Sequence, residues 1–268
     1  MKDAEPLTYD RYLKVADLLG LQRRLTDAHD ELQFIVVHQV FELWFRLLLF
    51  ELESIRAAIT RSDLPGAVHL LGRAHEIVRN LTAAFDVIET MRPYDFLEFR
   101  AGLKPASGFQ SRQFREIEFV SGAKDQHYIH TFADEPDSAE ALRTRLAEPT
   151  VWDAFVRLLG ARGLQVANDT EVVQTVIRVQ KDPGLADLNQ LVEAMIEYDL
   201  LWSLWRQRHV LMVERMIGSR PGTGQKTVAH VLGEGYEAMG SGGVEYLRST
   251  LAKRFFPLLW EARTFLER

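Results

Sequence analysis

The chain has 268 residues, is 47% hydrophobic and carries a net charge of −6. That length suits one large domain or two small ones, and the apolar content supports a sizeable core rather than disorder. The negative balance argues against nucleic acid as a partner, and the lack of cysteine excludes disulfides, cysteine-ligated zinc, iron–sulfur clusters and covalent or thiolate-held haem.

The first residues, "MKDAEPLTYDRY", are charged and lack the apolar run of a secretory signal. With the absence of cysteine, this fits a cytoplasmic protein. From 29 to 59, apolar residues recur at spacings of three and four: Phe34, Val37, Phe41, Trp44, Leu48, Leu52, Ile55. That period predicts a helix. Arg46, Glu51 and Glu53 interrupt its apolar run, and no charge-free stretch reaches the length of a membrane span, so no membrane partner is expected.

Asp63 can cap the next helix, with Pro65 in its first turn. Val68, Leu71, Ala74, Val78, Leu81, Phe85 and Ile88 mark its buried face, and it stops at "MRPYD". Residues 101–112, "AGLKPASGFQSR", read as loop. "EIEFVSG" reads as a helix end or a short strand. Residues 134–163 predict one or two short helices, with caps around Asp137 and Pro149. The clearest element runs from 182 to 218, free of proline and glycine after Gly184 and roughly 50 Å long as a helix. A final helix is expected over 243–267, broken near Pro257. No block of alternating residues suggests a sheet. The expectation is one all-α domain over 1–268, a bundle of long antiparallel helices.

Two histidines lie on apolar faces. His209 has Trp205 and Val213 four residues away and Met212 three away. A lone helical histidine is more often a core or surface residue. In a cysteine-free bundle, however, it also suits the axial position of a b-type haem. Arg206 and Arg208 could then meet propionates, or simply be solvated. His38, among Phe34, Val37, Phe41 and Trp44, has the same bland reading. The other six histidines lack such surroundings. No H-E-x-x-H occurs, and no carboxylate set for a di-iron bundle is evident. "GSRPGTGQKT" (218–227) fails as a phosphate loop, because Gln225 separates Gly224 from Lys226 and a helix precedes it. Arg100, ending "DFLEFR", suits capture of a carboxylate or an ordinary surface ion pair.

Taken in order, several stretches resemble the tryptophan 2,3-dioxygenase family. They are "LTYDRYL" (7–13), "HDELQFIVVHQVFELWF" (29–45), "DFLEFRAGLKPASGFQSRQFREIEF" (95–119), "LWRQRHVLMVERMIGSRPGTG" (204–224), "GVEYLRST" and "FFPLLWEAR". The resemblance covers nearly the whole chain. It implies a b-type haem, ferrous in the active state, with His209 as its iron ligand. It implies His38 as the distal residue bonded to the indole N–H, acting more as an orienting group than as a base. Phe34 and Phe96 would be walls for the indole, Arg100 the clamp on the substrate carboxylate, and Thr223 a partner of the substrate ammonium and carboxylate. Ser107 and Gly108 would lie beside the haem. Tyr9, Tyr12 and Leu13, within the N-terminal segment 1–28, would reach a neighbouring subunit's site in a homotetramer. The implied reaction adds O2 across the indole C2–C3 bond of L-tryptophan to give N-formyl-L-kynurenine, as in tryptophan catabolism through the kynurenine pathway.

Two features depart from the family pattern. Residues 225–239, "QKTVAHVLGEGYEAM", form an extra stretch beside Thr223, and Phe85 stands where some relatives carry tryptophan near the proximal histidine. The alternative reading is therefore a haem-dependent monooxygenase forming 2-oxindoles from a tryptophan derivative. A silent haem-binding sensor is a third.

Overall fold

The stretches with the most regular apolar spacing become the longest helices. The computed structural model describes residues 6–220, 222–223 and 243–267. Two short helices come first, α1 (Tyr9–Leu13) and α2 (Val15–Leu19), neither with a buried residue. α3 (Glu31–Thr60) and α4 (Leu64–Ile88) follow. Asp63 caps α4 by accepting from Gly66 N at 3.0 Å, with Pro65 in the first turn, as the sequence predicts.

α5 (Pro93–Arg100) leads into two 3-10 turns, at 101–103 and 108–110, so this loop is only partly irregular. "EIEFVSG" is the end of helix α6 (Arg112–Ser121), not a strand. The 134–163 region forms α7 (Pro136–Ala147) and α8 (Val151–Ala161). α8 is capped by Thr150, next to Pro149 where the cap is expected. α9 (Asp169–Lys181) precedes α10 (Ala186–Ile217), the 32-residue helix expected from 182–218. The C-terminal part is split as expected near Pro257, into α11 (Gly243–Ser249) and α12 (Pro257–Thr264). Among the described residues no strand occurs, and the architecture is all-α.

α3 and α4 form an antiparallel hairpin, because only three residues separate them. Gln33 bonds Thr90 at one end and Glu51 pairs with Arg73 further along. α4 and α10 run in the same direction, with His75 opposite Ala194 and Asp86 opposite Arg208. The core lies between these three helices: Leu48, Leu52, Ile55, Leu71, Val78, Leu81, Leu188 and Leu191 are fully buried. By length and composition α3 could cross a membrane. Its inner face is nonetheless committed to α4, α6 and α8. Its outer face leaves Leu32, Val36, Leu43, Leu47 and Phe50 exposed.

Asp199, in the middle of α10, fastens the C-terminal end. Its buried carboxylate accepts from Phe255 N, Phe256 N and Trp260 Nε1 at 3.0–3.1 Å. The extra stretch 225–239 lies outside the described residues, but its flanks do not. A Cβ built on Gly222 would lie 3.8 Å from Gly243 N, so the chain at 222 and at 243 runs side by side.

Candidate active site

α3, α4, α5 and α10 converge at one end of the bundle, and aromatic side chains fill the junction. The Phe34 ring lies 4.0 Å from the His38 ring, 5.8 Å from Phe96 and 5.6 Å from Phe99. Phe41 links His38 to Phe85 (ring distances 6.0 and 5.5 Å). Phe85 in turn lies parallel to His209 at 5.5 Å, and Trp205 lies 5.0 Å from it. The helical spacing of 34, 38 and 41 on α3, and of 205 and 209 on α10, puts each set on one face.

Both histidine rings keep accessible surface although protein surrounds them deeply. Each ring therefore sits in a recess with part of its surface uncovered. Burial holds His38 below the ordinary histidine value, against the opposing pull of the Phe34 carbonyl and the Glu42 carboxylate. Burial, followed by repulsion from His38, pushes His209 down to about 4. Both imidazoles are therefore neutral at pH 7 and keep a lone pair.

The lone pair of His38 can be placed. Its Nδ1 lies 2.7 Å from Phe34 O. A carbonyl only accepts, so Nδ1 carries the proton and Nε2 is left as an acceptor. His209 has no hydrogen-bond partner among the described residues, and Trp205 Nε1 beside it is buried without one. A neutral, partly uncovered imidazole packed against Phe85 and Trp205 fits a haem-iron ligand. The residues present thus suit the group.

Arg100 closes α5. Burial and the nearby charge of Arg220 both lower its value, so two guanidinium groups share this region. Thr223 Oγ1 donates to Ala106 O at 2.7 Å, which ties it to the loop after Arg100. Ser107 and Gly108 open the 3-10 turn at 108–110: Ser107 Oγ accepts from Phe109 N at 3.4 Å, and Gln110 Oε1 accepts from Ser107 N at 3.0 Å. This turn feeds α6, where Gln113 donates to Glu42 O and Oε2 at 2.9 and 2.8 Å, one helical turn past His38.

Phe34, His38 and Phe96 therefore touch or stack together, and His209 joins them through Phe41 and Phe85. Arg100, Ser107, Gly108 and Thr223 sit on the adjoining loops. Tyr9, Tyr12 and Leu13 do not join them within the chain; Tyr9 and Tyr12 are 78% and 71% exposed. The two arginines beside His209 differ: only Arg206 departs from a solvated side chain. Arg206 is buried and pairs with Glu118 at 3.2 Å, and Arg208 pairs with Asp86 at 2.6 Å and Glu89 at 3.0 Å. Neither is a spare cation. Phe99, Phe109 and Arg220 were missed by the sequence reading. Phe99 follows Phe96 by three residues, a signal in plain sight, whereas Phe109 and Arg220 sit in loops without periodicity.

A family model of tryptophan 2,3-dioxygenase matches residues 2–166 and 148–266. The chain belongs to the tryptophan 2,3-dioxygenase family. It is 46% identical to a tryptophan 2,3-dioxygenase of a Nocardioides species, over 97% of this chain and 95% of the relative. It is 38% identical to that of Caulobacter vibrioides and 40% identical to that of Herpetosiphon aurantiacus, in each case over 98% of this chain and 100% of the relative. The match to the family thus covers nearly the whole chain, and the ranges matched include positions 38, 100, 209 and 223.

Proposed function

We propose that the protein is a haem-dependent dioxygenase that adds O2 across the indole C2–C3 bond of L-tryptophan, releasing N-formyl-L-kynurenine. The observation that carries this reading is the acceptor Nε2 of His38, set among phenylalanine rings and near enough to the neutral His209 for the two rings to interact electrostatically. His209 would hold a b-type haem through its iron, and the bound haem supplies the centre that binds and activates O2.

The chain's own residues then bind and orient the amino acid. Phe34 and Phe96 offer walls for the indole. Its N–H finds an acceptor at His38 Nε2; buried without one, it would cost about 1–3 kcal/mol. Since Nδ1 of His38 is held by Phe34 O, the ring keeps one orientation, and its role is to position the indole. Arg100 takes the carboxylate, with Arg220 adding positive potential. Thr223 has already given its proton to Ala106 O. What its oxygen still offers is lone pairs, which suit the ammonium group. Ser107 and Gly108 border the same space from the loop.

Tyr9, Tyr12 and Leu13 act, in this reading, on a neighbouring subunit of a homotetramer. Their exposure supports it, as does the apolar stripe along α3. The same reading places the enzyme in the cytoplasm, with no membrane or nucleic-acid partner, in tryptophan catabolism. The shared name of the relatives favours dioxygenation over mono-oxygenation.

The test is direct. The haem-loaded, reduced protein is given L-tryptophan and O2, and the product is identified by mass and absorbance. Gain of two oxygen atoms supports the reading. Gain of one supports the monooxygenase, and a haem spectrum without turnover refutes both. Separately, His38→Ala retaining most of kcat and substrate affinity would refute the orienting role.

A further inference from the structure

A second polar cluster lies behind the loop that carries Ser107. Tyr128 and Tyr246, both buried, share a hydrogen bond of 2.8 Å between their hydroxyls. Lys253 Nζ donates to Tyr128 Oη at 2.6 Å. An ammonium only donates, which leaves the Tyr128 proton for Tyr246. Arg115 lies over the Tyr128 ring at 3.9 Å and pairs with buried Glu118 at 2.5 Å. Both phenols are pushed up by burial and stay protonated. The pair is thus a fixed post, anchored in α6 and in the segment after α11.

The other end of that post meets the site. The Tyr246 and Phe109 rings pack edge to face with centroids 4.5 Å apart, a geometry favoured by the ring quadrupoles. Phe109 N is the group that donates to Ser107 Oγ. Where Phe109 stands therefore decides how the Ser107 hydroxyl is held. Thr223 grips the same loop at Ala106 O from the other side.

We propose that Tyr246 is a positioning residue: through Phe109 it sets the Ser107–Gly108 turn against the substrate and haem space, with Tyr128 and Lys253 holding its hydroxyl. This rests on the functional reading above. Tyr246 touches neither substrate nor cofactor; it acts through Phe109.

The test uses the haem-loaded full-length protein. Tyr246→Leu removes the ring edge, and Tyr246→Phe removes only the hydroxyl anchor. The expected result is unchanged haem content and a fall in kcat at saturating tryptophan of roughly tenfold for Tyr246→Leu, the scale on which small misplacements act. A smaller fall is expected for Tyr246→Phe. The C–O stretching band of the ferrous carbon monoxide complex should shift in both, because the turn borders the ligand. The kcat effect should largely disappear in the Ser107→Ala background, since residues acting in one chain are not additive. Parental kcat per haem with an unmoved C–O band, or equal losses with and without Ser107, would overturn the proposal. If Tyr246→Leu fails to fold, Tyr246→Phe and the C–O band decide. If the parent converts no tryptophan, the functional reading fails, and the band still tests the positioning role.

Discussion

Phe85 lies parallel to His209, with ring planes within 9° and centroids 5.5 Å apart. The ring is buried, 1% exposed, and also touches Phe41 and Trp205. It joins the α3 face that bears His38 to the α10 face that bears His209.

Phe85→Ala should therefore act on both stability and haem retention. Removing a fully buried phenylalanine costs about 3–5 kcal/mol, and the freed space lets the His209 ring turn. Urea unfolding of the apoprotein should show the first effect. Transfer of haem to an acceptor protein should show the second, as a faster loss. Phe85→Leu should restore most of the stability but not the slow haem loss.

Arg100 is the test of carboxylate recognition. Arg100→Leu should raise KM for L-tryptophan by about 100-fold, the scale of a lost charged hydrogen bond of ~3 kcal/mol. Arg100→Lys should recover only part of it, because a point charge does not replace a bidentate fork. Steady-state kinetics with L-tryptophan and tryptamine separates the contributions. Tryptamine lacks the carboxylate, so its KM should be almost indifferent to the substitution.

Asp199 tests how the C-terminal end is held. In Asp199→Ala two buried amides and the half-buried Trp260 indole lose their acceptor, at about 1–3 kcal/mol for each buried donor. Thermal unfolding should show a loss of several degrees or more, and protection of the Phe255 and Phe256 amides from hydrogen exchange should fall. An unchanged melting temperature would show that water replaces the carboxylate.

The apoprotein should lose stability as pH falls. His38, His75 and His209 are all held below the ordinary value of 6.5 by burial, His209 at about 4. Below pH 6.5 the unfolded chain takes up protons that the folded chain refuses. Unfolding free energy therefore rises with pH across the interval from about 4 to 6.5. Urea midpoints measured across this interval should rise with pH, and His75→Gln should flatten the slope.

Much of this was legible in the sequence. The bundle follows from the three-and-four spacing of α3, α4 and α10, and the cap at Asp63 from its position before a proline. Family resemblance, rather than periodicity, raised His209 and His38 above ordinary core histidines. Other features were out of reach because they depend on contacts between distant segments. Arg206 and Arg208 look alike in sequence, two residues apart. One faces Glu118 within the core and the other faces Asp86 on α4, a difference only packing decides. The proton on His38 Nδ1 needs a distance to Phe34 O, and Tyr246 gains its meaning from Tyr128, 118 residues away.

The adjacency of Gly222 and Gly243 also has an engineering use. Two points of the chain that touch can be joined directly, and closing a loop of different length between them alters the entropy only slowly. Thr223 follows Gly222 directly and is bonded to Ala106, and Tyr246 lies three residues after Gly243 and is bonded to Tyr128, so a joint placed after Thr223 leaves both in the chain. A short glycine link or a grafted reporter domain running from Thr223 to Gly243 would thus be a port into the enzyme, able to sense the site while keeping its residues.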